Sequence, residues 1–410
     1  MDAAADDRFG AQARAEFMAL DFDQVIAPMG RADFLRGPWD KEFVHISGTP
    51  GRFSHLLSWD ELNAALEQHR LTPPRLKLYL GGQPVDARRF LTTPNLGVPR
   101  LDSGGLAACL GEGATLILDD VQEVAPRVRA LMQAFQAALH TDAFANLYAS
   151  WHSQNAFDLH WDPQSAMVLQ LAGRKRWVVH KPTRLHPLDN DLEAAPRPTG
   201  QPVWDGMMED GDVLYLPRGW WHVAYPVNEP SLHLTVSLTP PKSLEFLGWV
   251  VSRLRAEEAV RANLPALAGE AALAAHVKTL RRLIDGMLTE KTAGEFLREW
   301  EANIGPAPHI RVQQAAYEQF APLADASRVR LGTLNRLFFT PRDGAFVFNA
   351  AGRSWTVPPD LVPALEMLSN ARDVSLAELA ARVPASAAAN LRNSLGVLAR
   401  AGVVIIEAGH

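Results

Sequence analysis

Between residues 143 and 239, apolar and polar positions alternate in short runs broken by Gly and Pro, a period-two pattern that predicts strands. Ala143–Trp151 alternates large and small residues. The run 166–182 reads as a hairpin turning at Ala172-Gly173. The run 208–227 holds two strands around a Pro-Arg-Gly turn, and Ser231–Leu238 is a further strand stopped by Pro240-Pro241. Many short strands with such turns predict a double-sheet jelly roll. Before this region the pattern is mixed. Residues 58–70 predict a helix capped by Ser58, Leu-Lys-Leu-Tyr-Leu before Gly81-Gly82 a strand, 114–120 another, and Val124–Leu139 an amphipathic helix.

After Pro241 the period becomes helical through residue 304, partly with apolar residues on faces that read as exposed. Residues 333–358 predict strands around turns, followed by three helices and a terminal strand at 403–407. Helices followed by a terminal strand resemble a winged helix. The expected organisation is therefore an α+β domain over 1–241, a helical segment over 242–324 and a winged-helix-like domain over 325–410.

Composition narrows the function classes. At 410 residues, 47% hydrophobic and 21% charged, the chain has the make-up of a folded multidomain protein. A formal charge of −6 gives no general attraction to nucleic acid or anionic membranes. Residues 326–410 carry nine Arg, no Lys and six acidic residues, without the dense basic cluster of a DNA reader. Direct nucleic-acid binding is not expected. The single cysteine, Cys109, excludes an internal disulfide, suits a reducing cytoplasm, and reads as a buried apolar filler. The acidic N-terminus lacks a signal-peptide pattern, and no run of about 18 apolar residues exists to span a bilayer.

The chemistry concentrates in three residues. His160 and Asp162 flank Trp161, and His222 follows 62 residues later, after the Pro-Arg-Gly turn. On an extended segment, positions i and i+2 share a face, so His160 and Asp162 can address one point. Pro163 would end strand pairing there. Two imidazoles and a carboxylate can occupy one face of an octahedral metal and leave the other open; Fe(II) suits the set, and Mn, Co, Ni or Zn are also compatible. His45, His55, His69, His140, His276, His309 and His410 lack partner spacing. His152 is a candidate for the pocket wall, His186 falls in a loop, and His180 and His233 read as strand residues with packing or surface roles. Read alone, Lys175 is a solvated hairpin charge and Tyr148 a core tyrosine. Trp220 and Trp221 either wall the site or pack the barrel.

The ordered set of Asn146-x-Tyr148, His160-x-Asp162, Val168–Trp177 and Asp212–His222 resembles the JmjC branch of 2-oxoglutarate-dependent oxygenases, and within it the ribosomal oxygenase group. The resemblance implies a double-stranded β-helix barrel of the jelly-roll or cupin type, with a helical dimerisation segment and a terminal winged helix. It implies that His160, Asp162 and His222 hold Fe(II). Lys175 would pair with the distal carboxylate of 2-oxoglutarate, Tyr148 would bond the same co-substrate, and Ser237 and Asn146 would add polar contacts. O2 is the other co-substrate. The implied activity is hydroxylation of a His or Arg side chain of a ribosomal protein by a cytoplasmic homodimer. Two alternatives stand beside it: the same chemistry on a peptide natural product or small molecule, and a non-catalytic cupin-like binding or regulatory protein. Residues 150–158 and 182–200 depart from the group's pattern, which leaves the substrate the least transferable property.

Overall fold

The computed structural model describes residues 20–94, 97–191, 196–304, 324–332, 336–370 and 373–407. The acidic N-terminus, His309, His410, residues 305–323 of the helical segment, part of the 182–200 segment and the start of the 333–358 run lie outside the described residues. The chain divides into two compact units between Thr239 and Pro240.

In the first unit, helices α1 (Phe22–Ile26), α2 (Arg31–Arg36), α3 (Trp59–Gln68), α4 (Ser103–Gly111) and α5 (Pro126–Leu139) accompany thirteen strands. The predicted Ser58 cap is present at the start of α3 and is completed as a capping box by Glu61: Ser58 Oγ accepts from Glu61 N at 3.2 Å, and Glu61 Oε2 accepts from Ser58 N at 2.8 Å. The α5 stripe Val128, Leu131, Met132 and Phe135 is buried at the spacing of one helical face. Cys109 is buried on α4.

The strands are β1 (Val44–Ile46), β2 (Leu76–Leu80), β3 (Gln83–Pro84), β4 (Leu91–Thr92), β5 (Arg100–Leu101), β6 (Thr115–Leu118), β7 (Asp142–Ser150), β8 (Ser165–Ala172), β9 (Lys175–His180), β10 (Trp204–Met208), β11 (Val213–Leu216), β12 (Trp221–Pro226) and β13 (Ser231–Thr239). Apart from the β4-β5 ribbon they form two antiparallel sheets. The major sheet runs β1-β11-β8-β13-β7-β6-β2-β3, and the minor sheet runs β10-β9-β12. This is the expected jelly roll.

Strand parity explains how the major sheet is covered. Met167, Leu169, Val213, Tyr215, Leu147, Leu234 and Val236 join one core with α1 and α5. The alternate residues Ala166, Val168, Leu214 and Leu216 turn the other way and pack with Trp177, Val179 and Met208 of the minor sheet. The major sheet is thus apolar on both faces, and its second face is the inside of the sandwich.

One expectation fails here. The run 166–182 is not a hairpin, because β8 pairs with β11 and β13 whereas β9 pairs with β10 and β12. The chain changes sheets at Gly173. Gly173 has φ +65°, and a Cβ there would lie 1.9 Å from the Pro230 carbonyl oxygen. Two strands in sequence around a Gly turn carry the same signal whether they pair or cross, so periodicity alone could not separate the cases.

Asp212 ties the edge of the major sheet. Its carboxylate accepts from Gly48 N and lies 2.8 Å from His45 Nε2, and it accepts from Glu209 N at 3.0 Å. His45 therefore has a partner, 167 residues away, that no local spacing could reveal.

The second unit begins with α6 (Ser243–Leu254), α7 (Glu258–Arg261), α8 (Glu270–Met287) and α9 (Glu290–Asn303). Phe246 and Trp249 of α6 pack on Phe296 of α9, and Trp249 Nε1 donates to Glu299 at 2.7 Å. It continues with β14 (Arg328–Leu331), the meander β15 (Thr340–Arg342), β16 (Ala345–Ala350) and β17 (Arg353–Val357), then α10 (Val362–Asn370), β18 (Val374–Ser375), α11 (Leu376–Ala380), α12 (Ala388–Arg400) and β19 (Val404–Glu407). The predicted three helices and terminal strand are present. Val329, Phe348, Leu365, Leu391, Leu395 and Ile406 lie in one core. Among the described residues, no helix is long and apolar enough to cross a membrane.

Candidate metal and co-substrate site

His160, Asp162 and His222 meet at one end of a cavity inside the sandwich. Each offers a ligand atom, and these atoms all lie within 4.8 Å of one another. The segment carrying His160 and Asp162 is not the regular strand edge the spacing predicts. It is extended chain held by an isolated antiparallel bridge, in which His160 N donates to His222 O at 3.1 Å and His222 N donates to His160 O at 2.7 Å. Gly219 N donates to Asp162 O at 2.9 Å, which fixes the other end. The two histidines thus face each other across a pair of peptide hydrogen bonds, with ring centroids 4.4 Å apart.

Both imidazoles are set to bind a cation through the same atom. His160 Nδ1 is 2.7 Å from Asp158 O, and His222 Nδ1 is 3.0 Å from Trp220 O. A carbonyl can only accept, so each Nδ1 carries the hydrogen and each Nε2 keeps its lone pair. His222 Nε2 lies 3.5 Å from Asp162 Oδ2. Burial, then the neighbouring His160, push His222 down to about 4, against the opposing pull of Asp162, so this imidazole is neutral near pH 7. Two imidazole Nε2 atoms and one carboxylate oxygen, the rings oriented by backbone carbonyls behind them, fit a divalent transition metal.

The cavity is polarised along its depth. The Asp162 side chain is 40% exposed, while Lys175 is 3% exposed. Lys175 is the first residue of β9, whose inward positions are Lys175, Trp177 and Val179. Parity points its amine inside, which overrides the reading of a solvated hairpin charge. Burial alone pushes its ammonium down to about 7. A group so placed gains its charge when an anion enters.

Tyr148 lines the same cavity from β7, and burial raises its phenol above the ordinary tyrosine value, so the hydroxyl stays protonated. Asn146 and Ser237 are not among the cavity-lining residues. Asn146 Oδ1 accepts from Asp120 N at 3.2 Å, and Ser237 stands opposite Phe144 and Ala166. Thr235, one pleat nearer, reaches the wall in place of Ser237. His152 is exposed and outside the wall. Trp220 packs against Phe43 at 5.5 Å, and Trp221 Nε1 donates to Thr183 Oγ1 at 2.9 Å, so both serve packing.

Among the wall residues, Phe157 and Thr235 were not singled out in the sequence, Trp177 entered only as the end of a motif, and His233 was read as a strand residue with a packing or surface role. Phe157 stands edge-on to His160 at 5.6 Å and packs on Tyr79 at 4.7 Å, in the segment that departs from the family pattern. His233 had a usable signal. It shares strand parity on β13 with Ser237, the residue that the resemblance assigns to the co-substrate.

The site sits inside a segment with a known counterpart. Residues 119–246 match the JmjC domain family. The chain is 30% identical over 246 residues to the bifunctional lysine-specific demethylase and histidyl-hydroxylase NO66 of Drosophila pseudoobscura pseudoobscura, covering 59% of this chain and 25% of that protein. It is 30% identical over 225 residues to human ribosomal oxygenase 1, covering 53% of this chain and 34% of that protein. The chain therefore spans about a quarter to a third of the length of these relatives. Among solved structures, ycfD of Escherichia coli aligns with a TM-score of 0.58 at 18% identity, covering 93% of this chain and 99% of that one. YcfD, described as a ribosomal oxygenase, has also been solved with cobalt and 2-oxoglutarate. The segment that carries the site is thus similar to the JmjC domain, the relatives that share it include a histidyl-hydroxylase and a ribosomal oxygenase, and the fold is similar to that of ycfD.

Proposed function

We propose that the protein is an Fe(II)- and 2-oxoglutarate-dependent oxygenase that hydroxylates a His or Arg side chain of a ribosomal protein. The observation that carries this reading is one cavity lined both by a His–Asp–His set and by a buried lysine without an anionic partner among the described residues. No other arrangement among the described residues pairs a metal-binding set with an anion site. The similarity to a histidyl-hydroxylase and a ribosomal oxygenase supports a protein substrate, and YcfD bound to cobalt and 2-oxoglutarate supports this co-substrate.

In this reading His160, Asp162 and His222 hold iron. Lys175 and Tyr148 bind the distal carboxylate of 2-oxoglutarate. Iron, with the keto acid and O2, would supply the oxidising power that couples decarboxylation to succinate with insertion of one oxygen atom into a C–H bond. The chain contributes position and dryness. Trp177, Leu216 and Ala224 form apolar walls that exclude water, and Phe157 borders the mouth beside His160. The helical segment 242–324 would serve a homodimer, and residues 325–410 a protein-contact module. A ribosomal target would set the work in the cytoplasm.

The test is anaerobic reconstitution with Fe(II) and 2-oxoglutarate, followed by air, with succinate as the readout. Wild type is compared with His160→Ala and Lys175→Ala, with and without ribosomal protein extract. Succinate that depends on both residues and rises with extract, with one ribosomal protein gaining the mass of one oxygen, is the expected result. Dependence on both residues without any effect of extract would move the substrate to a peptide or small molecule. No turnover and no 2-oxoglutarate binding would overturn the oxygenase reading.

A further inference from the structure

The cavity holds polar groups beyond the metal set, Lys175 and Tyr148: the Thr235 hydroxyl, the Trp177 indole N–H and the His233 imidazole. His233 is 2% exposed and lines the wall from β13. Its ring lies parallel to the Tyr148 ring at 4.8 Å, with an interplanar angle of 1°, and Trp177 meets it edge-on at 5.8 Å. Tyr148 and His233 belong to the major sheet and Trp177 to the minor one, so the imidazole is gripped from both sides of the sandwich.

His233 Nδ1 is buried and has no hydrogen-bond partner, and the same holds for Trp177 Nε1. Other buried polar atoms without partners, such as those of Thr115, Ser150 and His180, belong to residues that do not line the cavity. A buried polar atom left without its bond costs roughly 1–3 kcal/mol, and such atoms at a cavity wall call for a ligand that completes them. Burial first, then Lys175, hold the imidazole well below its ordinary value, so it is neutral and keeps one N–H donor. A second full positive charge beside Lys175 is thereby avoided, while a donor is retained.

We propose that His233 is a dicarboxylate-binding residue, donating a hydrogen bond to the distal carboxylate that Lys175 neutralises. This rests on the oxygenase reading above. It makes His233 a determinant of co-substrate choice: a keto acid with a distal carboxylate gains the bond, and one without it gains nothing.

The experiment measures binding rather than turnover. Mn(II)-loaded protein, kept anaerobic, is titrated calorimetrically with 2-oxoglutarate and with pyruvate, which shares the keto acid end and lacks the distal carboxylate. His233→Leu should weaken 2-oxoglutarate by about tenfold, the worth of one hydrogen bond to a charged group, and leave pyruvate unchanged. His233→Gln, which keeps a donor, should recover most of the loss. Mn(II) affinity and the melting curve report whether each variant retains the fold. Equal weakening of both keto acids, or no weakening of either, would overturn the assignment. If the wild-type Mn(II) protein binds neither keto acid, the oxygenase reading itself falls, which is a distinct result.

Discussion

Lys175 shows most directly how a single residue can be costly to the empty fold and necessary to the site. Its ammonium is held at about 7, far below its ordinary value of 10.5, because burial disfavours the charge. A lysine whose folded value is lowered disfavours the fold where it must be charged. The penalty is full below about pH 7, fades as pH rises, and vanishes above the unfolded value. Lys175→Met should therefore raise the melting temperature of the ligand-free protein, most near pH 6 and least near pH 10, while abolishing 2-oxoglutarate binding. Thermal melts across that range check the sign; a lower melting temperature near pH 6 would refute it. In the wild type, 2-oxoglutarate affinity should be level below about pH 7 and fall by about tenfold per unit above it, since the carboxylate wants the charged amine. The candidate metal-binding trio was legible in the sequence because its signal is residue type plus spacing, which the chain order preserves. Ser237 and Asn146, which the resemblance supplied, do not line the cavity, and spacing, which fixes the face of a strand and not the depth along it, could not have placed them.

At the scale of elements, the strands and helices were largely legible and their pairing was not. Period-two runs announced β7 to β9 and β11 to β13 but not β10, and Ser58 announced the start of α3. The step between β8 and β9 carried no mark that distinguished a hairpin from a change of sheet. What enforces the change is Gly173, whose positive φ and contact with the Pro230 carbonyl leave no room for a side chain. Gly173→Ala should destabilise the protein by at least about 2 kcal/mol, combining left-handed strain with a backbone clash. The midpoint of urea unfolding reports this, and an unchanged midpoint would show that the crossover relaxes freely. Because Lys175 lies two residues beyond, the folded variant should also bind 2-oxoglutarate more weakly. The His45–Asp212 contact teaches the same lesson. It joins residues 167 apart and depends on β1 pairing with β11, a fact of topology that no local window contains.

At the scale of the whole molecule, the second unit presents apolar surface that its own core does not use. Leu244, Leu247 and Val251 are exposed on one face of α6, at 58%, 47% and 56%. Leu273, Val277 and Ile284 are exposed on one face of α8. Exposed apolar faces of this kind mark association surfaces, and they support the proposed homodimer. Sedimentation velocity should give two protomers for the wild type and one for Leu247→Glu combined with Val277→Glu, with each protomer still folded. A monomeric wild type would remove the dimer from the proposal. In the first unit, the cavity has a consequence for the molecule that holds it. Lys175 and Trp177 stand on the minor sheet, while Tyr148, His233 and Thr235 stand on the major one. A dicarboxylate bound among them would act as a rivet between the two layers. Occupancy and closure of the sandwich then become one equilibrium, and the protein would resist unfolding in proportion to the logarithm of the co-substrate around it.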